Sequence, residues 1–162
     1  MFRKGVRRFA VFLLVLVAVA LGALVVDEVR HAGVPEETTV TIVDENGSER
    51  GSLDVRVAAS YRERYVGLSD TDSLGANEGM LFVHERAGNH SIVMRGMAFP
   101  IDVIFVGEDR RITRIYHAET EEPPYTDYRG QSKWTIEAPY NWTARNGVST
   151  GDRVRIAWLD GG

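Results

Sequence analysis

The sequence predicts a mainly β domain, a compact sandwich- or barrel-like body with two short helices, preceded by one N-terminal transmembrane helix. Three observations carry that expectation. After residue 38 the chain is a succession of short apolar or alternating runs ended by Gly, Pro, Asn or Asp, the signature of strands and turns. Two stretches, after Ser60 and after Tyr140, carry helix-boundary residues instead. And Phe9 to Val26 is a run of 18 residues without a charge, which at 1.5 Å per helical residue reaches about 27 Å, near a bilayer's hydrocarbon thickness.

Arg3, Lys4, Arg7 and Arg8 precede that run, and Asp27 and Glu28 follow it. Basic residues beside a span stay cytoplasmic. Residues 1–8 therefore read as a cytoplasmic tail, 9–26 as the anchor, and everything beyond as outside the cell membrane. Ala18-Val19-Ala20 also fits the small-residue site of a cleaved signal peptide, which leaves secretion open as the alternative. Residues 27–38 hold Pro35, Glu36 and Glu37 among few apolar residues and read as a linker. Residues 39–162 are then the extracytoplasmic β domain.

Along that domain, Thr39–Val43 is a strand leading into Asn46-Gly47, a hairpin turn signal. Leu53–Val57 alternates with the period of a half-buried strand. Ser60 is placed to cap a short helix, with Glu63 at the capping-box position and Gly67 at its end. Met80–Val83 and Ser91–Met94 read as two brief strands. Ile101–Val106 is the most apolar stretch and reads as a central strand, with Ile112–Tyr116 as its hairpin partner through Gly107–Arg110. Glu119–Gly130, with Pro123 and Pro124, is a long loop. Trp134–Glu137 is a strand, Tyr140–Asn146 a short helix closed by Gly147, and Val154–Trp158 a final strand.

Composition narrows the function. Four of the 19 basic residues precede the apolar run and all 23 acidic residues follow it, which leaves the body at −8. Lys133 is its single lysine. Such a surface disfavours nucleic acid and anionic lipid as partners. It suits a salt-loving host, a halophilic archaeon for example, although arginine over lysine also follows from base composition. The chain has no cysteine, which excludes disulfides, thiol catalysis and cysteine-held metal.

Several ordered motifs carry a resemblance. They are Arg64-x-x-Gly67-Leu68, Glu78-Gly79-Met80-Leu81-Phe82-Val83, Met94-Arg95, Phe99-Pro100 with Ile101 to Val106, Trp134-Thr135-Ile136-Glu137-Ala138, and Gly151-Asp152. In this order they resemble the domain-of-unknown-function family 192, over about Leu53 to Leu159. The resemblance implies a compact β fold with small helices, export in many members, and no established activity. The family's Trp-Met-Lys-Asn-Thr is replaced here by Val93-Met94-Arg95-Gly96-Met97, so a role resting on an Asn side chain has no residue to carry it at Gly96.

The chemistry-bearing candidates are few. If Ser91–Met94 and Ile101–Val106 form a hairpin, Arg95 and Asp102 meet at its closed end. They would make a notch for a small polar ligand, or merely a structural pair. Glu78 with Asp102 would be the two carboxylates of a hydrolase. Met80, Met94 and Met97, with His84 and His90, are weak candidates for a soft metal ion, and apolar patterning reads the methionines more simply as core. His117 lies beside the acidic loop, but no Gly-x-Ser-x-Gly nucleophile motif accompanies it. Neither a cofactor nor a resident metal is expected. The reading is a membrane-tethered binding module for a small polar ligand or an envelope partner. Its alternatives are a hydrolase using Glu78 and Asp102, and a structural envelope protein without a ligand.

Overall fold

The structure is a computed structural model that describes residues 33–161 together with Val17 and Val19. Two compact units divide the chain, Met1–Val34 and Pro35–Gly162. The expected span over residues 9–26 lies, but for Val17 and Val19, outside the described residues. Among the described residues no helix is long and apolar enough to cross a membrane.

The second unit is a seven-stranded sheet with two short helices. Its strands are β1 (Glu37–Val43), β2 (Glu49–Ala58), β3 (Glu78–Ile92), β4 (Ile101–Val106), β5 (Ile112–Ala118), β6 (Tyr128–Pro139) and β7 (Arg153–Ile156), and its helices are α1 (Tyr61–Val66) and α2 (Trp142–Arg145). The order across the sheet is β5-β4-β6-β3-β2-β1-β7. All neighbours are antiparallel except β2 and β3, which run parallel through a crossover that contains α1. The sheet curls until its two edges meet at one end. There the Ile112 amide donates to the Asp152 carbonyl at 2.9 Å, and the Val154 amide donates to the Arg110 carbonyl at 2.8 Å. Closure of this kind hides edge groups that would otherwise pair with other chains. The expected barrel-like β fold is therefore present, as a curled half-barrel.

Local signals act where the sequence places them. The Asp44 carboxylate accepts from the Asn46 and Ser48 amides at 2.9 Å each, which fixes the β1–β2 turn, and Gly47 takes a positive φ of 83° there. Ser60 and Glu63 form a reciprocal capping box on α1, and Gly67 ends the helix at φ 55°.

Three expectations need correction. Met80–Val83 and the first half of Ser91–Met94, Ser91 and Ile92, belong to one strand, β3, with an irregularity between Val83 and Gly88. Its far half pairs with Tyr128–Ser132 as a largely solvated ribbon, so it lacks the apolar alternation that marks a strand, and Met94 lies beyond its end. Ile101–Val106 is not central but second from the β5 edge. It is buried throughout, and apolar but for Asp102, because both its faces are covered. The last strand stops at Ile156, where Ala157–Leu159 form a 3-10 turn whose Asp160 carboxylate accepts from the Ile156 amide at 2.9 Å.

Two apolar clusters lie on opposite faces. The inner one fills the curl with Val40, Leu53, Leu81, Ile104, Ile136 and Ile156, plugged by Trp142. The outer one gathers Met80, Phe82, Met94, Val103 and Phe105 beneath Leu68, at the end of α1. Sheet residues buried on the outer face are thus covered by Leu68, just beyond α1, and by Met94, Met97 and Phe99 after β3.

Candidate functional site

Arg56, Met80, Glu137 and Val103 stand level across β2, β3, β6 and β4. Met80 and Val103 belong to the outer cluster, so Glu137 points to the outer face. It is 4% exposed, and its Oε2 has no hydrogen-bond partner. A buried polar atom without a partner is uncommon in a folded protein and calls for an explanation. Burial pushes the Glu137 carboxyl up to about 8, outweighing Arg56, which pulls the other way. At neutral pH the group is a protonated acid. Its backbone carbonyl is also crowded, because a Cβ on Gly79 would lie 2.4 Å from it. Only glycine lets β3 approach β6 this closely.

Glu137 lines a cavity of about 170 Å³ together with the end of α1 and the segment after β3. Val66, Leu68, Phe82, Ile92 and Met97 supply apolar wall, and Arg64 and Arg95 supply charge. Arg64 is committed to the fold: its Nη1 donates to the Ala59 carbonyl and, at 3.0 Å, to the Val83 carbonyl. Arg95 is exposed. Its guanidinium lies 4.0 Å over the Tyr65 ring and Nη2 donates to the Tyr65 carbonyl at 2.8 Å. The stack holds the side chain while its other N–H groups stay open for a ligand. Beside it Tyr61 (71% exposed) and Tyr65 (58% exposed) stack on the outer side of α1.

Asp102 is elsewhere. It shares the inner face with Ile104 and is fully buried. Its carboxylate accepts from His117 Nδ1 at 2.6 Å, from the Asn141 amide at 2.9 Å, from the Thr143 amide at 2.8 Å and from Thr143 Oγ1 at 2.5 Å. Asn141 precedes α2 in a left-handed conformation without a side-chain cap of its own. Asp102 therefore caps α2 across the fold, a carboxylate at a helix N-terminus. The expected meeting of Arg95 with Asp102 does not occur. β6 lies between β3 and β4, so the two strands form no hairpin.

The family model described as "Uncharacterized ACR", DUF192, matches residues 41–156. The chain belongs to the DUF192 family. Two crystal structures share the fold. A protein of Sinorhizobium meliloti 1021, provisionally described as a transcription regulator, is 25% identical with a TM-score of 0.68, over 76% of this chain and 95% of that one. A protein of unknown function from Novosphingobium aromaticivorans DSM 12444 is 29% identical with a TM-score of 0.64, over 74% of this chain and 84% of that one. No curated protein matches the chain.

The remaining candidates in this DUF192 domain are dispersed. Glu78 is exposed at the start of β3, where it accepts from the Gly75 amide at 2.8 Å. It shares the face of Met80 and Phe82, whereas Asp102 shares that of Ile104. The two carboxylates are on opposite faces of the sheet and cannot flank one bond, which removes the hydrolase arrangement. Met80 and Met94 are buried core and Met97 packs against them. His84 and His90 stack with ring centroids 3.7 Å apart. His84 Nε2 bonds Thr135 Oγ1 at 3.0 Å, and His90 Nε2 lies 3.0 Å from the Arg86 carbonyl. The methionines and histidines do not converge on one point. Among the described residues no group of three or more His, Cys, Asp or Glu could hold a metal ion.

Glu137 is the residue that the sequence reading passes over. In Trp134-Thr135-Ile136-Glu137-Ala138 alternation sends Ile136 inward and Glu137 to what reads as solvent. The available signal is the lack of any other charge in that run, the mark of a strand covered on both faces.

Proposed function

We propose that the domain is a binding module whose small ligand enters the cleft above Glu137, with Arg95 at its mouth. The observation that carries this is Glu137, a buried acid with an unpartnered Oε2, on the wall of a cavity that is partly apolar. A fold has no reason of its own to keep such a group, since an apolar residue of similar size would be cheaper to bury. A ligand that completes the hydrogen bond gives it one. Concave apolar sites with a few converging polar groups are the usual form of small-molecule sites. Screening the full-length protein against small charged and neutral compounds by thermal shift tests the reading. Compounds that raise Tm in the parent but not in Glu137→Leu support it; a screen in which no compound separates the two proteins sinks it.

The apolar run over residues 9–26 and its flanking charges support a tethered placement outside the cell membrane, or secretion where that run is cleaved. A reporter fused after Gly162 that is active only outside the cytosol is the expected result, and activity in the cytosol overturns it. The exposed pair Tyr61 and Tyr65, with the exposed Val93 beside the cleft, favours an envelope protein as the partner that this lip faces. The regulator description of the Sinorhizobium meliloti protein is not carried over, because a body at −8 repels nucleic acid.

A further inference from the structure

The cleft's charge and donor pattern narrow its ligand. Glu137 is the one acidic side chain on its wall, while Arg64 and Arg95 line it too. Arg56, in the same cross-sheet row, stands behind Glu137. Two arginines thus share this wall with a single acid in a chain of net charge −4, while Arg56 lines the neighbouring cleft and bonds Thr71. The adjoining cleft on the same side is the reverse: Glu37, Asp54, Asp70 and Glu78 face Arg56 alone. The opposite signs of these neighbouring hollows make the positive one selective for anions.

Resting on the binding reading above, we infer that the ligand is a small organic carboxylate with an apolar body, seated between Arg95 and Glu137. The groups that the site offers are mainly donors. Arg95 keeps N–H groups beyond the one given to Tyr65, and a protonated Glu137 offers its O–H beside one acceptor oxygen. An anion with acceptor oxygens complements both residues, whereas an ammonium group finds an acceptor only on Glu137 and meets the arginines as like charges. Size bounds the body: a protein cavity of roughly 150 Å³ accepts benzene, and this one is about 170 Å³. Phe82 and Leu68 supply the apolar wall for it.

Binding is then linked to pH. The titratable and charged groups about Glu137 are Arg56 on β2, Arg64 and Tyr65 on α1, His84 on β3, bonded to Thr135, Arg95 after β3 and Tyr116 on β5. Asp127, at the edge beside Ser91, is turned onto Arg129. Burial raises the Glu137 carboxyl to about 8. Below that pH the acid donates to the ligand; above it a second negative charge faces the carboxylate and affinity falls.

The test uses benzoate, benzamide and benzylamine as probes, titrated calorimetrically into the full-length protein. Benzoate binds at least about tenfold more tightly than the other two, the worth of one charge-assisted hydrogen bond. Its affinity falls about tenfold from pH 6 to pH 9, where Glu137 ionises. Glu137→Gln keeps a donor and so retains benzoate at pH 6, but loses the pH dependence. Arg95→Ala, a change at an exposed side chain, weakens benzoate about tenfold or more. Glu137→Leu removes the donor and abolishes binding. If benzylamine binds best, or Glu137→Gln alone destroys binding, the site takes cations and the carboxylate assignment is overturned while the cleft remains a site. If none of the three probes binds the parent at millimolar concentration, the cleft reading fails with it.

Discussion

At the scale of single residues, two buried titratable groups set opposite limits on stability. Burial lowers His84 from 6.5 to about 3, helped by His90, Arg64 and Lys133, and raises Glu137 from 4.5 to about 8. The unfolded chain protonates His84 below 6.5 while the folded one does not, so the stability from neutral His84 is present above 6.5 and lost as pH falls toward 3. The unfolded chain ionises Glu137 above 4.5 while the folded one holds the proton, so stability is present below 4.5 and lost as pH rises toward 8. Between 4.5 and 6.5 the two slopes cancel. Chemical denaturation at a series of pH values should therefore show a plateau across that window and a decline on both sides. Glu137→Gln should remove the alkaline decline and stabilise the protein at pH 7 by on the order of 3 kcal/mol, the cost of keeping one proton bound well above its free pKa. A variant that is more stable yet no longer tied to pH would identify Glu137 as a group retained for function at a cost to the fold. No change in the alkaline limb would show that the acid ionises freely.

At the scale of elements, local chemistry was legible and long-range pairing was not. The capping box of α1, the Asn46-Gly47 turn and the hairpin of β4 with β5 follow from residues close in sequence, and each stands where its motif puts it. The strand that β4 gains on its other side, β6, comes from about thirty residues further on. No local pattern marks that partner, so Arg95 and Asp102 were expected to meet and do not. Asp102 instead holds α2. Its carboxylate is fully buried, and removing it strands two backbone amides and the Thr143 hydroxyl. Asp102→Ala should cost on the order of 3 kcal/mol or more in urea denaturation, as for other buried charges whose partners are left unpaired. Exposed His117→Ala should cost under half as much, because solvent replaces its bond. Equal losses would mean that the Asp102–His117 contact, rather than the cap, carries the effect. Gly79→Ala belongs to the same scale: its Cβ would lie 2.4 Å from the Glu137 backbone carbonyl, which cannot swing aside, and 3.3 Å from Val55 Cγ1. It should destabilise by about 1–3 kcal/mol, as overpacking does, and blunt ligand-induced thermal shifts through Glu137.

At the scale of the whole molecule, the mainly β class was legible because short runs and turn residues recur from β1 to β7. The curl was not, because it depends on which edges meet. β7 pairs with β1 on one side, and on the other its first residues reach the β4–β5 turn, with Arg111 bridged to Arg153. The strand sequences give no sign of this seam, since its backbone bonds, joined by Arg111 to the Gly151 carbonyl and Arg110 to Asp160, link residues about forty or more apart. It has a physical consequence. A sheet left open at that point would expose the amides of Ile112 and Val154 to water, and they would exchange with the fast, local openings of an edge strand. In the closed form they donate to Asp152 and Arg110, and Ile112, Val154 and Trp142 belong to one inner core cluster. Hydrogen exchange on the full-length protein should find these two amides protected to within about tenfold of those at the centre of β6, exchanging through global unfolding. Trp142→Ala removes the plug and should cost about 3–5 kcal/mol by leaving a cavity; its effect on exchange should then reach the seam and the sheet centre alike. Were Ile112 and Val154 instead to exchange orders of magnitude faster than β6 in the parent protein, the two edges would not be joined in solution. The domain would be an open curled sheet with a free strand on either side.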